Sequence, residues 1–217
     1  FILDDGFEIP TPEELWESLG DDCRSRAADV LLPARAELLT FMQRFDITSG
    51  PLRIEHRYPE FSIAAAACRA DVPLTVHPGI GYDIIHNHHM ANGAVIGRGA
   101  DIDYRVFVEG VLNLDGGVFL SVGSAIMAPQ VFEKAMSLAN NLRLQQSEDI
   151  VRPCIVVNDL SQVDWDWSKG EPPKDDPAYY LRFCKSFSRM GGEMSYIGGD
   201  NRTFLHNLYW MLEKAVE

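Results

Sequence analysis

The sequence predicts an α/β fold, a mostly parallel sheet with helices on both faces. Three observations carry this. Short apolar runs alternate with helix-patterned segments along most of the chain, which is how strand–helix units read. The runs are apolar on successive residues, as strands covered on both faces are. Each run ends abruptly in glycine or a short polar residue.

FILDDGFEIPTPEELWESLG reads as a strand or arm and then a helix. Thr11 is its N-cap, Pro12 takes the first helical position, and Glu13 and Glu14 suit the first turn. From Ala27 to Phe45 the residues Val30, Leu31, Ala34, Leu38, Phe41, Met42 and Phe45 recur at helical spacing, with Pro33 expected in the first turn. Ser49-Gly50-Pro51 breaks the chain. Ser62 to Arg69 is a short helix of small residues. Val72 to Val76 reads as a strand with a tolerable proline near its start. Asp101 to Leu112 is helical, and Asp115-Gly116-Gly117 turns into the strand Val118–Val122. Pro129 opens a helix with Val131, Phe132, Ala135, Met136 and Ala139 on one face. Cys154–Val157 is the next strand, and a long polar loop runs from Ser161 to Asp176. Pro177 to Met190 is helical, Met194–Ile197 is a strand, and a final helix from Arg202 is expected to pack through Leu205, Leu208, Leu212 and Ala215.

A chain of 217 residues supports one good core. The expectation is a single α/β domain over residues 1–217, with residues 1–50 as peripheral helices. Only about four strand–helix units are visible, so an N-terminal piece of the sheet is expected to be missing or unusual.

The formal net charge is -13 and the pI about 4.8. Such a chain repels a phosphate backbone, which argues against nucleic-acid binding. No apolar run has the length of a membrane span, and no basic apolar leader is seen. The four cysteines, Cys23, Cys68, Cys154 and Cys184, form no CxxC pair. Cys68 and Cys154 read as buried thiols, and a reducing cytoplasm is the expected location.

The functional signal lies at the strand ends. The four ends read HPGIGYD, SVGS, NDLS and GGDN. In an open parallel sheet they would lie along one carboxyl edge, where such sheets bind ligands. Glycine permits close approach, and Ser, Asn and Asp supply short hydrogen-bonding groups. This set points to Gly79, Gly81, Ser121, Gly123, Ser124, Asn158, Asp159, Asp200 and Asn201 as ligand contacts. No GxGxxG opens a helix behind a strand, although GRGADID at Gly97–Asp103 begins like one. The P-loop pattern is absent. SVGSA is not GxSxG, so a serine nucleophile at Ser124 with His86 and Asp159 has little support.

Four of the six histidines lie between Asp71 and Gly97. His77 and His86, with Asp83 as partner, are the candidate catalytic residues, since imidazole titrates near neutrality. The same three residues could serve a metal-assisted hydrolase, though no HExxH motif supports one.

Several of these segments resemble the deoxyhypusine synthase family and its homospermidine-synthase-like relatives. ADVPLTVHPGIGYDII is similar to that family's strand and loop. LDGGVFLSVGSAIMAPQVFEKAMSLAN is similar to its glycine-rich strand and helix, PCIVVNDLSQVDW to its strand before an acidic loop, and GGEMSYIGGDNRTFLHNLYWML to its last strand and helix. The resemblance covers about the last two-thirds of the chain and rests on the collinear order of the motifs. It implies a Rossmann-like fold, NAD as cofactor, a homodimer or homotetramer, and transfer chemistry on a polyamine or other amine. NAD contacts are implied at Ser121, Gly123, Ser124, Asn158, Asp159, Asp200 and Asn201, with Asp83 in the region of the loop acid. Met127, Ala128 and Pro129 stand where the family has a lysine and histidines. Lys185, in DDPAYYLRFCKSFSRM, stands without the family's Trp-Gly-Lys context.

Three functions are compatible with these signals. The first is an NAD- or nucleotide-binding protein acting on an amine. Its acidic loop residues Asp159, Asp164, Asp166, Glu171, Asp175 and Asp176, with Trp165 and Trp167, would form a cation-binding rim. The second is a non-catalytic oligomeric scaffold, and the third the metal-assisted hydrolase.

Overall fold

The computed structural model describes residues 6–21 and 28–216. Cys23, Ala27 and the first five residues lie outside these, as does the side chain of Val30. The chain divides into two compact units, residues 1–102 and 103–217.

In the first unit, strand β1 (Phe7–Ile9) pairs antiparallel with β2 (Gly50–Leu52). Helix α1 (Pro12–Asp21) starts where the sequence places it. The Thr11 hydroxyl accepts from Glu14 N at 3.1 Å, and Thr11 N donates to the Glu14 carboxylate at 2.8 Å. This reciprocal pair satisfies two backbone donors that a helix start would otherwise strand. Helix α2 (Ala28–Phe45) carries Pro33 in its interior, not in the first turn as expected. A small core of Ile9, Leu15, Leu39 and Met42 joins these elements. Helix α3 (Ile63–Arg69) is capped by the Ser62 hydroxyl, which accepts from Ala65 N.

Val72–Val76 is not a strand. The segment belongs to no sheet, and Val72, Leu74 and Val76 are all exposed. Pro73 has no N–H to give to a ladder, so one side of this short segment is already crippled for pairing. His77 is therefore not at a strand end. Helix α4 (Gly93–Leu112) begins eight residues before the expected Asp101. Asn92 starts it, its side-chain oxygen accepting from Ala94 N at 2.9 Å and Val95 N at 3.2 Å. GRGADID lies inside this helix and forms no ligand loop.

The second unit is α/β. Strands β3 (Val118–Val122), β4 (Cys154–Asp159) and β5 (Glu193–Gly198) form a three-stranded parallel sheet in the order β3-β4-β5. Three strands, not four, make the sheet among the described residues. Helices α5 (Met127–Gln145), α6 (Arg182–Ser188) and α7 (Asn201–Val216) flank it. The register sets Val122 beside Asn158 and Asn158 beside Ile197, so the three strands end level.

The core gathers Phe132, Ala135, Met136 and Ala139 of α5 with Ile155, Val157, Cys184 and Phe187. Phe119 and Phe132 stack with centroids 3.8 Å apart. The α5 stripe is thus the face that its spacing predicts. The α7 stripe is not. Leu205 is 50% and Leu212 57% exposed, and no described residue of α7 is buried. Cys68 is exposed and Cys154 half-buried, whereas Cys184 is the fully buried thiol. No helix among the described residues is long and apolar enough to cross a membrane.

Candidate functional site at the carboxyl edge of the sheet

Alternation along a strand sends successive side chains to opposite faces. Phe119 and Ser121 of β3, with Ile155 and Val157 of β4, face the packed core. Val118, Leu120, Val156 and Asn158 face the other way, toward α7. Between that face and α7 lies a cleft of about 510 Å³. Its walls are apolar, from Leu120, Val156, Ile197, Phe204 and Leu208, and its polar end is formed by Asn158 with Asp200 and Thr203. A volume of this size is typical of small-molecule sites.

Asn158 is the hub of that end. It is 1% exposed. Its Nδ2 donates to the carbonyls of Ile197 at 3.0 Å and Gly199 at 3.3 Å. Its own carbonyl accepts from Gly123 N at 3.1 Å. One residue thereby ties together the ends of all three strands. The amide orientation is set by this network, since the opposite rotamer would set oxygen against two carbonyl oxygens. Oδ1 is then an acceptor, and it is buried without a hydrogen-bond partner. An unmet buried acceptor is costly and calls for a donor.

Asn201 lies beside Gly123, and its Oδ1 is also buried without a partner. Gly123 has φ +67, and a β-carbon there would approach Asn201 Nδ2 to 2.6 Å. Asp200 caps α7, its carboxylate accepting from Thr203 N at 2.9 Å and the Thr203 hydroxyl at 3.0 Å. These bonds, first the backbone one, hold its carboxyl below the usual aspartate range. Ser124 accepts from Ala128 N at 3.0 Å at the start of α5. Asp159 accepts from the amide and hydroxyl of Ser161, each at 3.2 Å.

Of the residues that the sequence assigns to one site, Gly123, Asn158, Asp159, Asp200 and Asn201 converge, with Ser124 alongside. Ser121 lies at the same strand end on the opposite face, 3% exposed, with its hydroxyl unpartnered. Leu208 and Phe204 line the cleft; the sequence places Leu208 in a packed stripe and does not single out Phe204. Their i, i+4 spacing was the available signal.

The histidine segment forms a separate arrangement within the first unit. Gly79 N donates to the Asp83 carboxylate, Gly81 has φ +88, and a 3-10 turn runs from Ile84 to Asn87. Gly79 and Gly81 are thus turn residues in a chain stretch that no strand precedes. A β-carbon on Gly79 would run into the ring of Tyr82. Asp83 closes this turn through its bond to Gly79. His77 Nε2 meets the Thr75 hydroxyl at 3.0 Å. His86 Nε2 is buried without a partner. Among the described residues, no group of three or more His, Cys, Asp or Glu side chains is placed to hold a metal ion, so His77, Asp83 and His86 do not form a ligand set.

The two tryptophans of the loop beyond Asp159 do not form an exposed aromatic wall, while Asp164, Asp166, Glu171 and Asp175 are exposed. Trp167 is 5% exposed in the core, and Trp165 packs against that core and donates to the Gly170 carbonyl at 3.0 Å. Asp166 and Asp176 cap 3-10 turns. Cys184 and Tyr196 are poor acids here. Burial, and then the charge of Asp159, pushes each up to about 12. Comparison with protein-family models, curated proteins and solved structures finds no match.

Proposed function

We propose that the cleft between the sheet and α7 binds a nucleotide, NAD or a close relative, in a divergent protein of the deoxyhypusine synthase type with a Rossmann-like sheet. The observation that carries this reading is the buried, unpartnered Asn158 Oδ1 at the polar end of an apolar cleft. A ribose hydroxyl or a base N–H is a donor of the required kind, and the flat walls of Leu120, Val156 and Ile197 suit a planar ring. Asp200 offers a second acceptor for a sugar hydroxyl.

The residues present fit the nucleoside part of such a ligand better than its phosphates. Ser124 and Asp200 already cap the starts of α5 and α7, where a diphosphate would otherwise dock. Arg202, in the first turn of α7, supplies a cation beside Asp200. Bound NAD would supply hydride-transfer capacity. The chain would hold the sugar through Asn158 and Asp200 and exclude water with the apolar walls.

Substrate amines are the class that the acidic chain favours, through Asp159 at the same edge. Lys185 is not placed for imine chemistry, because Glu171 engages its ammonium at 3.0 Å and Tyr179 covers it. The exposed Trp210, Met211 and Leu212 of α7 support a homo-oligomer. The free thiols of Cys68, Cys154 and Cys184 suit a cytoplasmic setting.

Calorimetric titration with NAD and adenosine tests the proposal, run beside Leu208→Trp, which fills the cleft. Saturable binding that the variant loses while staying folded is the expected result. No binding of either compound to the folded wild type would reject it.

A further inference from the structure

The chain is acidic overall, yet one pocket of the second unit is basic. It has a volume of about 470 Å³ and lies on the outer side of α6. Arg182, Lys185 and Arg189 line it at i, i+3 and i+7, which places all three on one helix face. Like charges so arranged repel, and nothing in the fold of α6 requires them there. Glu171 answers two of them, meeting Lys185 Nζ at 3.0 Å and Arg189 Nη2 at 2.5 Å. The Arg182 side chain makes no ion pair or hydrogen bond among the described residues. Three cations against one carboxylate leave the pocket two positive charges in excess.

The walls add direction. Tyr179 and Tyr180 stand edge to face with centroids 5.6 Å apart. Lys185 Nζ lies 3.2 Å from the Tyr179 ring centroid, and its side chain is only 12% exposed. The ammonium is therefore pinned in place, while Tyr180 remains 73% exposed as a free aromatic wall. Two guanidinium forks flanking a fixed ammonium match the geometry of a tetrahedral dianion.

We propose that this pocket binds a small phosphate monoester, with the phosphate between Arg182, Lys185 and Arg189 and the organic group against Tyr180. The site is distinct from the cleft beside α7 and does not depend on what that cleft holds. Glu171 acts as the resident competitor: it occupies Lys185 and Arg189 until a dianion replaces it.

Titration with phenyl phosphate, inorganic phosphate and succinate tests this on the whole chain. Phenyl phosphate should bind best, inorganic phosphate next, and succinate at least about tenfold more weakly than phenyl phosphate. Arg182→Gln should weaken phenyl phosphate about tenfold, the loss of one charge-assisted contact. Glu171→Gln should tighten it severalfold by removing the competitor. Succinate binding as well as the phosphates would overturn the ligand class. Absence of saturable phosphate binding, or unchanged affinity in folded Arg182→Gln, would overturn the site. Weaker binding in folded Glu171→Gln would overturn the competitor role.

Discussion

The Asn158 amide nitrogen donates to the Gly199 carbonyl at 3.3 Å, while the Gly199 N–H is taken by the Asp159 carbonyl at 2.8 Å. Two adjacent residues of β4 thus fix both backbone polar groups of one glycine just past β5. Asn158→Ala removes this bond and the one to Ile197. The expected cost is about 2–3 kcal/mol, roughly 1 kcal/mol or more for each lost bond. Urea unfolding measures it, and a cost below about 0.5 kcal/mol would remove Asn158 as the hub.

Gly123→Ala tests the turn after β3. The left-handed φ of +67 costs a side chain about 1–2 kcal/mol. The crowded Asn201 amide is the end of a flexible side chain and can swing aside. The variant should therefore lose about that much stability and also weaken nucleotide binding, because Asn201 leaves its place. Urea unfolding and calorimetry read the two effects separately.

Ser121→Ala separates the two sheet faces. Its buried hydroxyl has no partner, so its removal should leave stability unchanged or raise it by about 1 kcal/mol. Ligand affinity in the cleft should not change, since Ser121 faces the core. A large loss of affinity in calorimetry would place the ligand on the other face.

Stability should fall at both ends of the pH scale. Hydrogen bonds from Ser168 lower Asp166, those from Lys185 and Arg189 lower Glu171, and those from Thr203 lower Asp200. Their contribution is present above the ordinary values of 3.8 for Asp and 4.5 for Glu and is lost as pH falls through the lower folded values. Each carboxylate is exposed, so this loss is small. On the alkaline side, Cys184 and Tyr196 are raised from 9.0 and 10.0 to about 12. Stability is whole below 9.0 and drains as pH rises toward 12, because the unfolded chain sheds these protons first. Thermal melts from pH 3 to 11 on the order of one unit apart check both limbs, and Cys184→Ala should blunt the alkaline one.

Local signals in the sequence were enough to find β3, β4 and β5, the Thr11 cap and the buried stripe of α5. Each depends on neighbours a few residues away. Partner-dependent features were not legible. Val72–Val76 has strand composition, but pairing needs a second strand, and Pro73 weakens the ladder. The α7 leucines have core spacing, yet Leu208 meets the sheet across a cleft and Leu205 and Leu212 are exposed. Trp167 looked like loop surface because burial of a loop indole depends on how the loop folds back. Asn158 and Ser121 looked equivalent as polar strand ends. Only the alternation of the observed strands sends one toward the cleft and the other into the core.

A nucleotide bound in the cleft is expected to give Asn158 Oδ1 its missing donor. A crystal structure of the protein grown with NAD or adenosine shows which group meets that oxygen. The expected result is a ligand hydroxyl or N–H within about 3 Å of Asn158 Oδ1, with a ring lying against Leu120 and Val156. Nucleotide density elsewhere, or a cleft closed by protein with Oδ1 satisfied from within the chain, would contradict it.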